Sequence, residues 1–265
     1  MPLMGRRPGA HLDLSLPFPS IAPALRDLAS HAIGRVASLV PGQCAVCHGW
    51  CGGRICPACL QCFAALRSRC SHCALQVQPG ITLCGACLVD PPPFASAVTA
   101  VDYAYPWDGL VGRFKFAAGL DLAAAFAHCM ADAHRSHDAA RPDLLLPVPL
   151  GAQRLKQRGY NQAWELARRL GAIVGVHADS TLLLRVKDTP AQSTLSPEQR
   201  ASNLRGAFVV EPTRRAELRG RSVAIVDDVM TTGATGAEIA RTLLHAGAAR
   251  VQLWVLARTP KPSER

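Results

Sequence analysis

The segment Val223 to Thr235 reads Val-Ala-Ile-Val-Asp-Asp-Val-Met-Thr-Thr-Gly-Ala-Thr and constrains the fold more than any other part of the chain. Val223–Val226 is a short, continuous apolar run, the pattern of a strand buried on both faces of a parallel sheet. Helical spacing resumes at Ile239, Ala240, Leu243 and Leu244, and Gly247 supplies the stop. The loop Thr231-Thr232-Gly233-Ala234-Thr235 is therefore expected at the carboxyl end of a strand and the amino end of a helix. Unpaired N–H groups and the helix dipole favour an anion there. Small side chains let the backbone close around a phosphate, and Gly233 permits the tight turn.

Asp227 and Asp228 stand just upstream. Adjacent carboxylates can accept hydrogen bonds from vicinal ribose hydroxyls, directly or through Mg²⁺, so the ligand implied by acids and loop together is a sugar phosphate. The segment is not a Walker loop, because no Gly-Lys-Ser/Thr is present. It is not a dinucleotide fingerprint either, because no G-x-G-x-x-G follows the strand.

A second pattern occupies Cys44 to Cys87: the pairs Cys44/Cys47, Cys56/Cys59, Cys70/Cys73 and Cys84/Cys87 each have two residues between them. Four such pairs read as two structural zinc sites, since zinc takes four thiolates in a tetrahedron and a C-x-x-C turn presents two of them. Without a secretory signal a disulfide framework is not expected, and a thioredoxin-type motif would not recur fourfold. Sequential and interleaved use of the pairs both satisfy the spacing. Cys51, Cys62, His48 and His72 lie close enough to compete as ligands. Cys129, spaced with Leu122, Ala125 and Phe126, is expected to fill core space. Fully protein-filled coordination leaves no open position for water, so this module is structural or recognises a partner.

Domain boundaries can be drawn from the same patterns. Residues 1–40 form an extension in which Leu25, Leu28, Ile33, Val36 and Val40 fall near helical spacing. Residues 41–90 hold the cysteines, Pro91-Pro92-Pro93 marks a stiff boundary, and 94–260 form the larger α/β domain. In that domain Val98–Tyr105 reads as a strand and Asp108–Phe116 as a helix with Lys115 near its end. A second helix starts at Leu120, and Leu144–Leu146 is a buried strand whose exit is stiffened by Pro147 and Pro149. Residues 181–208 form a polar excursion in which Ser196-Pro197-Glu198 opens a short helix. Phe208–Val210 and Val251–Leu256 supply further strands of a doubly wound series.

With 49% hydrophobic residues in a chain of 265, a sizeable core is available. Apolar runs are broken by prolines well short of membrane-spanning length, and His11, Asp13 and prolines interrupt any signal-like segment after Arg6 and Arg7, so a cytoplasmic protein without membrane insertion is expected. The formal net charge is +10; two tetrathiolate zinc sites, each carrying about −2, would bring it to roughly +6. Basic residues cluster at Arg154, Lys156 and Arg158, and again at Arg214, Arg215, Arg219 and Arg221. Solvated surface accounts for any single one, while together they suit phosphate-bearing ligands or single strands.

The segment from Val223 to Thr235 resembles the phosphoribosyl pyrophosphate (PRPP) loop of type I phosphoribosyltransferases. The further landmarks resemble the ComF family: the cysteine pairs, Phe114-Lys115-Phe116, Pro147-Val148-Pro149-Leu150, Arg158-Gly159-Tyr160-Asn161-Gln162, Gln192, Arg200 with Asn203-Leu204, and Val255-Leu256-Ala257-Arg258. They recur in family order from Cys44 to Arg258. The resemblance implies a type I phosphoribosyltransferase fold, mostly a parallel doubly wound sheet, with a small N-terminal double zinc ribbon. It implies that Asp227, Asp228 and Thr231–Thr235 bind PRPP with Mg²⁺. A pyrophosphate loop is implied at Pro149, with Lys115 and a basic flap of Arg154, Lys156 and Arg158 beside it. Arginine forks suit a diphosphate leaving group.

On this resemblance the chain is either a pentosyl transferase with an acceptor the sequence does not give, or a non-catalytic binding module for single-stranded DNA and recombination partners that keeps a PRPP pocket. In both cases the role implied is in natural competence and DNA uptake. Hypoxanthine-guanine-type relatives carry an aspartate base where this chain has Thr231, and an unperturbed hydroxyl cannot replace it.

Overall fold

The computed structural model describes residues 42–117, 119–137, 140–187 and 204–260. The expected helix before Pro41, the Ser196 helix, and Gln192, Arg200 and Asn203 lie outside the described residues.

The sheet that carries the site has four parallel strands. These are β3 (Ser96–Asp102), β4 (Leu144–Pro147), β7 (Ser222–Met230) and β8 (Arg250–Arg258), in the spatial order β3-β8-β7-β4. Past β4 the ladder gains one bridge, Leu145 to Ala178, where the Leu145 amide donates to the His177 carbonyl at 2.9 Å. Alternation along the central strands sorts their side chains into two cores. Ala224, Val226, Trp254 and Leu256 pack with α3 (Trp107–Phe116), α4 (Ala123–Ser136) and α6 (Gln162–Val174). Val223, Ile225, Leu253 and Val255 pack with α7 (Ala234–His245). This is the doubly wound arrangement expected, and it accounts for the apolar runs Val223–Val226 and Leu253–Ala257 in the two central strands.

Several boundaries move. The strand expected over Val98–Tyr105 is Ser96–Asp102, and the helix expected from Leu120 starts as a 3₁₀ turn over Leu120–Leu122 before α4. β7 runs on through both acids to Met230, because β8 offers an equally long partner in register, with Asp227 opposite Val255 and Met230 opposite Arg258. Phe208–Val210 (β6) does not join the parallel sheet as expected. It pairs antiparallel with Leu183–Arg185 (β5) in a separate two-stranded ribbon. A three-residue apolar strand carries nothing in its sequence that selects one sheet over another.

The cysteine-rich segment repeats one design twice. In each unit the first cysteine pair lies on a turn and the second at the start of a helix, α1 (Pro57–Phe63) or α2 (Gly85–Val89). The residue after the first pair, His48 or Ala74, adopts a positive φ of 60° or 55°. The two-residue strands β1 (Gly42–Gln43) and β2 (Trp50–Cys51) close the first turn. Among the described residues no helix is long and apolar enough to cross a membrane.

Candidate functional site

A cavity of about 330 Å³ opens at the carboxyl ends of β4, β7 and β8. Its floor is the acid pair on β7, one wall is the loop from Thr231 to Gly236, and the facing walls come from α3, the β4 exit and α5 (Ala152–Arg158). The loop leaves β7 and turns into α7 at Gly233, whose φ of +83° is the left-handed region that favours glycine. Gly236 serves a different need: a Cβ there would sit 2.6 Å from Leu253 Cδ2, so only glycine lets the start of α7 lie this close to β8. Among the described residues the amides of Thr232, Gly233, Thr235 and Gly236 find no acceptor in the protein, while Ala234 N–H donates to Thr232 Oγ1 at 3.3 Å. Open amides at the start of a twelve-residue helix are what an anion requires.

The two acids are not equivalent. Asp228 Oδ1 is 2.9 Å from Lys115 Nζ at the end of α3, a largely buried ion pair. Asp227 is half-buried, and its Oδ1 accepts from the Asp228 amide at 2.9 Å. Burial first, and then the neighbouring Asp228 charge, push the Asp227 carboxyl up to about 7, against the pull of Lys115 and the Asp228 amide. A cation at the floor would favour the ionised form of Asp227.

The segment Arg158 to Gln162 fixes this geometry. Gly159 takes a positive φ of 78° after α5, and Asn161 caps α6 by accepting from the Ala163 amide at 3.0 Å. Asn161 Nδ2 also donates to the Val148 carbonyl at 3.0 Å, tying down the β4 exit. Tyr160 Oη donates to the Phe114 carbonyl, and Gln162 Nε2 donates to the Lys115 carbonyl at 3.4 Å. The end of α3 is thereby clamped so that Lys115 meets Asp228. Arg158 Nη1 donates to Gln162 Oε1 at 3.0 Å, and its guanidinium lies 4.8 Å from the centre of the exposed Phe116 ring.

Of the expected site residues, Asp227, Asp228, Thr231, Thr232, Gly233, Ala234, Thr235, Pro149, Lys115, Arg154 and Arg158 all line the cavity. Lys156 is exposed and does not. Tyr103, Arg185 and the scaffold role of Asn161 and Gln162 do not stand out in the sequence. A buried glutamine beginning a helix is the available signal, since a buried amide must find partners. Two arginines of the second cluster are engaged away from the cavity: Arg214 pairs with Asp179 at 2.6 Å and Glu217 at 2.8 Å, and Arg215 donates to the His245 carbonyl.

The cysteines assemble sequentially, Cys44, Cys47, Cys56 and Cys59 in one group and Cys70, Cys73, Cys84 and Cys87 in the other. Sulfur separations of 3.7 Å (Cys47–Cys56) and 3.6 Å (Cys73–Cys84) are close to the edge of about 3.8 Å expected for a tetrahedron with Zn–S near 2.3 Å. Backbone amides donate to the sulfurs alike in both units, from Cys56 to Cys44 Sγ and from Cys84 to Cys70 Sγ, each at 3.3 Å. The donor sets fit structural zinc. Cys51, whose thiol donates to the Gly53 carbonyl, and Cys62 stand outside both groups, as do His48 and His72. Cys129 is buried in the core, as expected.

A parallel sheet with an acid pair and an amide-rich loop at its carboxyl edge is the type I phosphoribosyltransferase class. The phosphoribosyl transferase domain model matches residues 117–265. The DNA utilization protein YhgH of Salmonella typhimurium is 38% identical over 230 residues, 83% of this chain and 98% of that protein. Competence protein F of Haemophilus influenzae is 36% identical over 193 residues, 71% of this chain and 84% of that protein. Competence protein ComFC of Bacillus subtilis is 29% identical over 153 residues, 56% and 58% of the two chains. The chain belongs to the ComF family of the phosphoribosyltransferase superfamily.

Proposed function

We propose that the cavity binds PRPP with Mg²⁺ and that the chain transfers, or is built to transfer, the phosphoribosyl group to an acceptor in DNA uptake. The loop from Thr231 to Thr235 takes the 5-phosphate on its open amides, Asp227 and Asp228 take the ribose hydroxyls, and Lys115, Arg154 and Arg158 face the diphosphate beside Pro149. Mg²⁺, when bound, neutralises charge on the diphosphate. In the transfer, the bond from C1 to the pyrophosphate oxygen breaks with its electron pair leaving on pyrophosphate. The acceptor's lone pair forms the new bond to C1, and the residues act by orientation and charge stabilisation. With threonine at 231, no side chain is assigned as a base toward the acceptor. Two zinc ions hold the tetracysteine groups, and the protein acts in the cytoplasm.

One observation carries this reading: a single cavity gathers the open amides of one segment, the acids of another and cations from α3 and α5. Calorimetric titration with PRPP and Mg²⁺ tests it; a flat titration would remove the basis for every role above. Pyrophosphate release across a nucleobase panel then separates transferase from binder.

A second reading has its own observation. Phe116 is 75% exposed and lies against Arg158, which lines the cavity, and an exposed ring beside a guanidinium is a combination on which single-stranded bases stack. Together with a basic net charge, formally +10 and roughly +6 with two tetrathiolate zinc sites, and relatives named for competence and DNA utilization, it supports a single-stranded DNA binder that retains the PRPP pocket and works beside recombination proteins. Fluorescence anisotropy with labelled oligonucleotides decides. Affinity that survives Phe116→Ala and ignores salt would count against it.

A further inference from the structure

Arg258 ends β8 and is 8% exposed, a depth at which a guanidinium needs both acceptors and a counter-charge. Its acceptors are carbonyls of two segments, the second cysteine unit and the strand ends beside the loop. Nε donates to the carbonyl of Cys73 at 3.0 Å, and Nη1 donates to those of Met230 (3.2 Å), Thr259 (2.8 Å) and Thr231. Met230 and Thr231 are the root of the anion loop. Arg258 does not line the cavity; it lines the groove behind the loop, so it draws these carbonyls to the side away from the ligand.

Among the described residues no carboxylate pairs with Arg258. Asp102, its register partner on β3, is taken by Arg69 at 2.7 Å and Arg67 at 3.4 Å. The remaining source of negative charge is the second tetracysteine group, whose Cys73 carbonyl Arg258 already holds; four thiolates on a zinc ion carry about −2.

We propose that Arg258 is a positioning residue that couples the second tetracysteine group to the anion loop, so that metal loading of that group sets how tightly the cavity holds its phosphate ligand. The proposal rests on the PRPP reading of the cavity and adds a regulator to it. Losing the ion, with the released thiolates taking up protons, removes the counter-charge and lets the Cys73 turn relax. Arg258 then loses an acceptor on one side and its hold on the loop carbonyls on the other.

The test uses the full chain with three readouts: zinc content by mass spectrometry, titration with PRPP and Mg²⁺, and hydrogen exchange of the segment 224–236. Arg258→Lys keeps the charge but cannot span both carbonyl sets. It is expected to keep both zinc ions, weaken PRPP tenfold or more and speed exchange in that segment. Cys87→Ser unloads the second group with Arg258 intact and is expected to leave one zinc ion, weaken PRPP tenfold or more and speed exchange in the same segment, and the double variant to be no worse than either alone, the non-additivity of a shared route. Arg69→Gln loosens the same knuckle without touching the loop and is expected to shift PRPP affinity less than twofold. Additive losses, an Arg69→Gln effect as large as that of Arg258→Lys, or unchanged exchange in both Arg258→Lys and Cys87→Ser would overturn the coupling. If the unaltered protein fails to bind PRPP, the ligand reading falls, and the exchange measurements alone decide the coupling.

Discussion

Asp227→Asn should make the unliganded protein more stable and useless as a PRPP binder, and the pH dependence of the gain is the informative part. The Asp227 carboxyl is pushed up to about 7 by burial and by Asp228. Between the unfolded carboxylate range near pH 4 and that value, the folded chain holds a proton that the unfolded chain has released. Raising the pH therefore removes stability across this interval and no more above it. At about 1.4 kcal/mol per pH unit the ceiling is about 4 kcal/mol. Asp227 is half-buried at an open cavity and coupled to Asp228, so screening brings the expected cost down to about 1–2 kcal/mol. Asparagine cannot ionise, and its Oδ1 can still accept from the Asp228 amide. Its advantage should be negligible near pH 4, grow through pH 5 and 6, and level off above pH 7 at roughly 2–8 °C in melting temperature for a chain of this length. Melting curves of both proteins without ligand, taken from pH 4.5 to 8.5, measure it. A gain that does not vary with pH, or a loss of stability at pH 8, would refute the reasoning about the acid pair.

Gly233→Ala forces an L side chain into the left-handed region at roughly 1–2 kcal/mol, and titration should show PRPP affinity reduced at least tenfold. Gly236→Ala should cost roughly 1–3 kcal/mol in denaturant melts by lifting α7 off Leu253, with the binding loss arising from the same displacement. Lys115→Met leaves Asp228 buried without its cation and is expected to destabilise by roughly 3 kcal/mol; Asp228→Asn in the same chain should restore most of it, which a double-mutant cycle in chemical denaturation would show. Metal analysis of freshly purified, reduced protein should find two zinc ions per chain, falling to one in either Cys47→Ser or Cys84→Ser.

The loop and its acids were legible because strand, turn and helix signals are local, and nothing distant is needed to place Gly233 or the small residues around it. The same holds for the four cysteine pairs as metal ligands. Their pairing was not legible, since sequential and interleaved arrangements satisfy one spacing. The short hairpin between Gly42 and Cys51, with the repeated positive φ at His48 and Ala74, makes each unit close on itself. The reach of β7 to Met230 is hidden because two carboxylates read as the end of a strand, whereas the length of β8 decides where pairing stops. Lys115 is placed at the site by resemblance alone; its contact with Asp228 depends on Tyr160 and Gln162 holding the end of α3, which no local pattern reveals. Arg258 carries a readable signal: an arginine closing a long apolar strand must find buried acceptors.

The placement of the two tetracysteine groups has a mechanical consequence. The first packs Cys44, Ile55 and Cys59 into the same core as Trp107 and Leu110 of α3, with Trp107 Nε1 donating to the Phe63 carbonyl at 2.7 Å and Arg54 meeting Asp121 at 2.6 Å. That helix ends in Lys115. The second grips Arg258, and through it the loop. One group thus braces the cation side of the cavity and the other the anion loop facing it. A ligand reaching from loop to α3 needs those two walls held at a fixed separation, and the loop itself carries glycines that add backbone freedom. Knuckles anchored on opposite walls would fix that separation once their four-cysteine groups hold metal, at sites where a hydrophobic core of comparable rigidity would need many more residues.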